Sequence, residues 1–185
     1  MNNYKNTPFI PAIQKTSTLV LLSILSLICF IISINMKTIE VSPSYTSKIK
    51  AAKLMKAAMN ELKNHRMEQS IFIDSENDPN ETGLVGGPFS LITTDEGDLD
   101  AKLTTLDPNF SAIIVDLMSQ LSLKKNDTVA ILMTGSMPGA NIAVLTACKS
   151  LGLIPITISS VGASQWGANQ IDFTWLDMER ILFEK

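Results

Sequence analysis

The sequence has a single histidine, and this scarcity excludes much ordinary active-site chemistry. A Ser-His-Asp triad, a histidine-rich metal site or a histidine general base would each have to use His65. His65 lies near the end of a lysine-rich helical pattern, where a solvated side chain is the simpler interpretation. We therefore expect no metal and no cofactor.

Cysteine is also scarce, with only Cys29 and Cys148. Cys29 lies inside a long apolar run and Cys148 inside a predicted helix, so the two thiols are poorly placed to meet. We expect no intrachain disulfide. Two cysteines do not identify the redox compartment.

Motifs for calcium are incomplete. Asp74, Glu76 and Asp78 alternate like the first ligands of an EF-hand loop. Pro79 then replaces the glycine that the loop needs for its sharp turn, and Val85 replaces the bidentate glutamate. A solvated turn is the better interpretation of this acidic segment.

Motifs for nucleotides are missing. Gly83, Gly86 and Gly87 lack the spacing and the flanking elements of a dinucleotide fingerprint. The sequence has no P-loop pattern either, so we do not expect this chain to activate a substrate with ATP.

Charge is unevenly distributed along the chain. Residues 1–68 contain nine Lys/Arg and three Asp/Glu, whereas residues 69–185 contain six and fifteen. A basic N-terminal part therefore precedes an acidic domain, which argues against nucleic-acid binding by that domain. Solubility and attraction of the basic part to anionic lipid explain the asymmetry.

One long apolar run is present, at residues 16–36, after a polar N-terminal tail at 1–15. Its 21 uncharged residues would form about 32 Å of helix, which matches the ~30 Å hydrocarbon layer of a bilayer. No small-x-small cleavage pattern follows, so the run predicts an uncleaved, single-pass anchor in the cytoplasmic membrane. Lysines flank the run on both sides, and we favour an extracytoplasmic domain because long domains translocate largely regardless of charge.

Residues 37–68 form a basic linker followed by an amphipathic helix. Apolar residues recur at intervals of three and four, which predicts one buried face: Ile49, Ala52, Met55, Met59 and Leu62. We expect this helix to pack on the domain with its lysines solvated. The alternative is a basic strip that contacts lipid headgroups or a polyanion.

Residues 69–185 read as an α/β domain with a Rossmann-like parallel sheet. Two apolar strands, 128–133 and 153–159, are separated by a predicted helix at 141–150. Further predicted elements are short strands at 70–74 and 90–94, helices at 98–105 and 107–121, and a terminal helix capped by Thr174 and Asp177. Because the chain stops within that last helix, we expect a truncated chain or a required partner. A compact three-layer domain is the alternative.

Two polar, glycine-containing loops follow the two strands. Carboxyl ends of neighbouring parallel strands meet at one sheet edge, next to a helix N-terminus that attracts anions. The loops therefore predict a metal-free site for carboxylates and amides. The alternative is that Thr134 and Ser136 only cap a helix and that Trp166 is a packing residue. The predicted ligand-binding residues are Thr134, Gly135, Ser136, Asn141, Ser159, Ser160, Ser164, Gln165, Trp166 and Asn169.

Catalysis at these loops needs a nucleophile and a base. Ser136, beside the helix start, is the candidate nucleophile. Lys102 is the candidate base, on the condition that residues 93–95 lie beside the loop at 134–141. The sequence alone does not establish that geometry.

Four segments of the chain resemble one bacterial family. They fall between Pro79 and Glu179 and are specific as a set: TGLVGGPFSLITTDEGDLDAKLT, DPNFSAIIVDL, MTGSMPGANIAVLTACKSLGL and ISSVGASQWGANQIDFTWLDME. The chain resembles the membrane-associated poly-γ-glutamate system protein family, which is found with capsule synthesis genes. Members of that family are generally longer than this chain. The resemblance implies a role in making or exporting poly-γ-glutamate and supplies no catalytic residue.

Two classes of function follow. The first, which we prefer at this point, is a membrane-anchored accessory component that binds the acidic polymer or the membrane components of its synthase. The second is a Ser- or Thr-dependent hydrolase or transferase acting on γ-glutamyl amide bonds. Ser136 and Lys102 favour the second class, and the lack of an evident histidine base or metal favours the first.

Overall fold

The computed structural model describes residues 15–36 and 41–184. The predicted N-terminal tail lies, except for Lys15, outside the described residues, as do residues 37–40 of the predicted linker. The chain divides into two compact units, Met1–Val41 and Ser42–Lys185.

The first unit contains helix α1, Thr16–Asn35. None of its residues is buried within the protein, and its length and apolar composition suffice to cross a membrane. The predicted apolar helix is thus confirmed. A signal sequence near an N-terminus shares these properties.

In the second unit, helix α2 spans Tyr45–Glu68 and packs against α4 (Phe110–Ser119) and α5 (Pro138–Leu151). The predicted buried face is confirmed in its C-terminal half and wrong near its start. Ile49 is exposed and Ala52 only partly buried, because the packed stripe follows the spacing of four, four, three and four through Ala51. Its buried members are Ala51, Met55, Met59, Leu62 and Arg66.

A two-stranded parallel sheet carries the two loops. Strand β1 is Thr128–Met133 and strand β2 is Ile154–Ser159, with Met133 opposite Ser159 at their carboxyl ends. The predicted parallel pairing is confirmed, and β2 begins one residue later than predicted. Helix α5 begins at Pro138 rather than Asn141, because proline fixes a helical φ and is favoured in the first turn. Two strands do not establish a Rossmann-like sheet.

The segment before β1 contains helix α3, Leu99–Thr105, as predicted, and then α4. The predicted start of this second helix at Asp107 is wrong. Its carboxylate instead accepts the amide of Asn109 at 2.8 Å within a turn, and α4 begins at Phe110. Strands at 70–74 and 90–94 were also wrongly predicted: the first segment lacks strand pairing, and the second makes one parallel bridge, Thr93 to Ala163.

The C-terminal part is a short hairpin followed by a capped helix. Strands β3 (Asn169–Gln170) and β4 (Phe173–Thr174) pair antiparallel and lead into α6, Trp175–Phe183. The predicted capping box is confirmed, with Thr174 and Asp177 satisfying each other's backbone amides. Residues from α2, α5, α6 and the 84–85 loop share one hydrophobic core, including Met55, Leu62, Leu84, Ile142, Phe173, Trp175 and Met178.

Candidate functional site

Three loops meet at the carboxyl ends of β1 and β2, and we call this meeting point the loop junction: residues 84–97, 134–139 and 160–170. The second and third loops are joined by backbone hydrogen bonds. The Gly135 amide donates to the Gly162 carbonyl at 3.1 Å, and the Ala168 amide donates to the Gly135 carbonyl at 2.7 Å. Two bonded loops at one sheet edge are the arrangement that the parallel strands predicted.

The first loop lies beside the third. The Thr94 amide donates to the Ala163 carbonyl at 2.9 Å, and the Gln165 amide donates to the Asp95 carbonyl at 3.0 Å. Helix α3 begins at Leu99, directly after this contact, and carries Lys102 toward the third loop. Residues 93–95 therefore contact the loop at 160–170, whereas the predicted role of Lys102 required them beside the loop that carries Ser136.

Lys102, Ser164 and Ser136 are connected at the centre of the junction. The Lys102 Nζ donates to the Ser164 Oγ at 2.8 Å. The backbone amide of Ser164 donates to the Ser136 Oγ at 3.0 Å. Lys102 is only 6% exposed and Ser164 only 8%, whereas Ser136 is partly open to solvent. Ser136 is thus the accessible member of the three.

Burial changes the proton affinity of Lys102. Removal of the ammonium from water lowers the pKa of Lys102 below its usual value, and the nearby Asp98 carboxylate partly opposes this effect. Asp98 is itself the N-cap of α3 and accepts the Ala101 amide at 3.0 Å. A lysine held this way reaches its neutral, basic form at lower pH than a solvated lysine.

The local backbone fixes the direction of Ser136. Its amide donates to the Thr134 Oγ1 at 3.2 Å, and Pro138 starts α5 two residues later. Gly135 permits this turn, because a Cβ there would lie 2.9 Å from the Cβ of Ala163. Ser136 therefore sits in a tight turn immediately before the positive end of a helix dipole.

The two asparagines predicted as ligands are engaged in hydrogen bonds within the junction, and Asn169 joins two of its loops. The Asn141 side-chain amide donates to the Thr134 carbonyl at 2.8 Å. Asn169 is fully buried, accepts from the Gly87 amide at 2.9 Å and donates to the Gly87 carbonyl at 2.8 Å and the Thr93 Oγ1 at 3.0 Å. Their side chains position the junction.

Three other predicted residues take no part in the connection between Lys102, Ser164 and Ser136. The Ser159 Oγ is buried without a hydrogen-bond partner among the described residues. Ser160 is exposed, and its amide donates to the Met133 carbonyl at 3.0 Å. Trp166 has a φ of 62° and packs partly buried against the main core, as the packing alternative predicted.

The sequence-based set missed Gly97 and Gly167, which permit the close approach of the loops. A Cβ at Gly97 would lie 2.3 Å from the Gln165 carbonyl oxygen, and one at Gly167 would lie 2.7 Å from the Gly135 carbonyl oxygen. The repeated glycines among the hydroxyl and amide residues of 159–170 were the sequence pattern that could have indicated a close approach of loops.

Two other features of the described residues lie apart from the junction. A cleft of about 730 Å³ is lined by residues that include His65, Ser70, Asp172 and Arg180, and none of the predicted site residues lines it. Within 15–36 and 41–184, no group of three or more His, Cys, Asp or Glu residues is placed to hold a metal ion.

No protein-family model, curated protein or solved structure matches this chain. The resemblance to the poly-γ-glutamate system family therefore stays a prediction.

Proposed function

We propose that this chain is a membrane-anchored component of bacterial poly-γ-glutamate synthesis or export, and that the loop junction binds the acidic polymer. The apolar helix α1 supports the proposal of a membrane anchor. The four segments that resemble the poly-γ-glutamate system family support the identity of the polymer. The proposed location is the cytoplasmic membrane, with the Ser42–Lys185 unit on its outer side.

The proposal depends mainly on the position of Lys102. This residue lies among hydroxyl and amide groups where the carboxyl ends of β1 and β2 meet. An ammonium group and Ser136, Ser164 and backbone donors suit a carboxylate or an amide carbonyl. In this proposal no metal is needed for recognition of the polymer.

A second surface supports contact with a polyanion. Lys50, Lys53 and Lys56 are exposed on α2, within a protein whose residues 69–185 are strongly acidic. Lys48 and Lys63, on the same helix, instead form ion pairs with Asp116 and Glu81. The three exposed lysines complement the negative charge of poly-γ-glutamate.

The proposal includes a Rossmann-like sheet that contacts a membrane component of the synthase. One face of the β1–β2 pair is apolar and open, with Leu132 81% and Ile158 68% exposed. Parallel sheets are normally covered on both faces. This open face supports either additional protein layers or the proposed synthase partner.

Binding to defined polymer tests the proposal. Detergent-solubilised full chain is titrated with poly-γ-glutamate, and α-linked polyglutamate of equal length serves as the comparison polymer. We expect tighter binding of the γ-linked polymer, and weaker binding after Ser136→Ala but not after the matched Ser150→Ala on α5. Equal affinity for both polymers, unaffected by Ser136→Ala, would refute a specific site at the junction.

Protease accessibility tests the orientation. In spheroplasts that carry the full chain, we expect added protease to digest the Ser42–Lys185 unit. Resistance of this unit until the membrane is opened would show that it lies on the cytoplasmic side.

A further inference from the structure

His65 is the only histidine of the chain, and the proposed polymer binding at the loop junction does not use it. It lines the cleft of about 730 Å³, together with residues that include Phe173 and Arg180. We propose that this cleft is a saccharide-binding site that takes a short, neutral oligosaccharide. This inference goes beyond the proposed function and does not depend on it.

The cleft has the volume of a ligand site and is built by several parts of the fold. Pockets that hold small molecules usually measure about 300–1,000 Å³, and this one measures about 730 Å³. Its lining comes mainly from the end of α2, the segment 69–72, the β3–β4 hairpin and the beginning of α6. The packing of these elements, rather than one surface loop, therefore forms the cleft.

Arg66 ties two walls of the cleft together from behind. Its guanidinium donates to the Phe72 carbonyl on one wall and to the Gln170 side chain on the other. The guanidinium carbon also lies 5.6 Å from the centroid of the Phe173 ring. Because Arg66 is 1% exposed, these contacts belong to the protein interior, and the cleft is formed before a ligand arrives.

The apolar part of the lining suits the C–H faces of sugar rings. Phe72 and Ile171 line the cleft and are 75% and 54% exposed. The His65 ring stacks on the Phe173 ring, with centroids 6.2 Å apart and planes inclined by 16°, so the imidazole is held in place. A sugar ring that packs on these side chains would remove their exposed apolar area from water.

The polar part of the lining suits hydroxyl groups. Gln69, Ser70 and Gln170 line the cleft with side-chain amides and a hydroxyl. Each of these groups can both donate and accept a hydrogen bond. A sugar hydroxyl has the same two capacities, so an oligosaccharide can pair with all three side chains.

The charges of the lining disfavour a strongly charged ligand. Arg180 is accompanied by Asp172 and Asp177, so the charged side chains other than His65 give the lining a net charge of −1. The buried Arg66 behind the walls compensates this charge. A polyanion such as poly-γ-glutamate would meet two carboxylates in the cleft, whereas a neutral saccharide would use the same carboxylates and the guanidinium as hydrogen-bonding groups.

The single histidine provides a direct readout of binding. The Cε1–H proton of His65 gives one imidazole NMR signal for the whole untagged chain. The full chain is solubilised in lauryldimethylamine oxide, a detergent without a sugar headgroup, and titrated with maltotriose, cellotriose and chitotriose. We expect at least one trisaccharide to shift this signal saturably, with a Kd of about 1 mM or lower. No shift with any of them would overturn the proposal.

A matched pair of variants shows whether the saccharide contacts the cleft. Ile171 and Ile113 are both 54% exposed, but Ile113 lies on α4 and does not line the cleft. Ile171→Ser should weaken binding of the active trisaccharide about tenfold, because the apolar contact is lost. Ile113→Ser should bind it like the unaltered chain. Equal affinities of the two variants would refute saccharide binding in the cleft.

A zwitterionic peptide is the competing ligand class, because its two end charges also sum to zero. Glycylphenylalanine is therefore titrated under the same conditions. A saturable shift of the His65 signal with this dipeptide and none with the trisaccharides would identify a peptide site and overturn the saccharide proposal. Binding of poly-γ-glutamate is measured separately on Ile171→Ser and should be unchanged, since the cleft and the Ser136 loop share no lining residue.

Discussion

Gly167 lies directly against the backbone of Ser136. A Cβ at position 167 would come within 2.8 Å of the Ser136 carbonyl oxygen and 2.9 Å of its Cα. The Ala168 amide also donates to the Gly135 carbonyl at 2.7 Å, so the third loop braces the turn that carries Ser136. The position of Ser136 therefore depends on a residue that has no side chain.

Gly167→Ala should displace this turn. The added methyl group cannot fit between two fixed backbone segments, so we expect a loss of about 1–3 kcal/mol in the free energy of unfolding. Binding of poly-γ-glutamate at the loop junction should weaken with it. Gly87→Ala is the matched control within the same junction. The nearest atom to a Cβ there, beyond the adjoining residues, is the Phe89 carbonyl oxygen at 3.9 Å, so this change should leave stability and polymer binding nearly unchanged. Equal effects of the two changes would contradict the bracing role.

The titration of Lys102 should make the free energy of unfolding depend on pH in the alkaline range. Its pKa is lowered in the folded protein, so the unfolded chain binds more protons as the pH approaches the usual lysine value of 10.5. The penalty for burying the ammonium is full at lower pH and is relieved as the pH rises through the lowered pKa toward 10.5. The unaltered chain should therefore gain stability relative to Lys102→Met between neutral pH and pH 10. Thermal unfolding of both chains across this range measures the difference, and a constant difference would show that Lys102 titrates normally.

Arg66 is a buried cation with a structural role. It is 1% exposed, and its guanidinium donates to the Gly83 carbonyl at 2.6 Å, to the Phe72 carbonyl and to the Gln170 side chain. These bonds hold the 70–83 segment and the β3–β4 hairpin against α2.

Arg66→Met should destabilise the protein by about 3 kcal/mol, since each buried acceptor left without a donor costs about 1–3 kcal/mol. Lys63→Met, on the same helix, removes a 3.8 Å ion pair to a 61% exposed Glu81 and should change stability by less than about 1 kcal/mol. Urea denaturation of both variants gives the comparison. A loss for Arg66→Met no larger than for Lys63→Met would show that solvent replaces the guanidinium bonds.

The parts of the fold with strong local patterns were predictable. β1 was predicted at its observed bounds because an apolar, β-branched run is flanked by polar turns. The capping box of α6 was predictable because Thr174 and Asp177 interact within one turn. Residues 70–74 and 90–94 have strand-like composition, but long-range loop contacts determine their structure, as the Thr93–Ala163 bridge shows.

The candidate site was predictable only in part for the same reason. Ser136 and Ser164 follow neighbouring strands, so the sequence could bring their loops to one edge. The connection from Lys102 to Ser164 joins residues 62 positions apart and depends on how the first loop packs. Likewise, Asn169 looked like a ligand residue, and only the packed loops show that its amide is engaged with Gly87 and Thr93.

The exposed lysines of α2 should strengthen binding of a polyanion without forming the specific site. Replacing Lys50, Lys53 and Lys56 by glutamate reverses three positive charges. This change should weaken binding of poly-γ-glutamate roughly tenfold at low ionic strength, equivalent to about 1.4 kcal/mol. The effect should shrink as salt is added, because exposed charges are screened beyond about 10 Å at 0.1 M salt. The matched control reverses the exposed Lys124, Lys125 and Lys149, which gives the same change in net charge at positions outside α2. If both triple variants lose affinity equally, net charge rather than the α2 surface governs binding. If the α2 variant binds polymer normally but no longer binds vesicles containing anionic lipid, these lysines contact lipid headgroups instead.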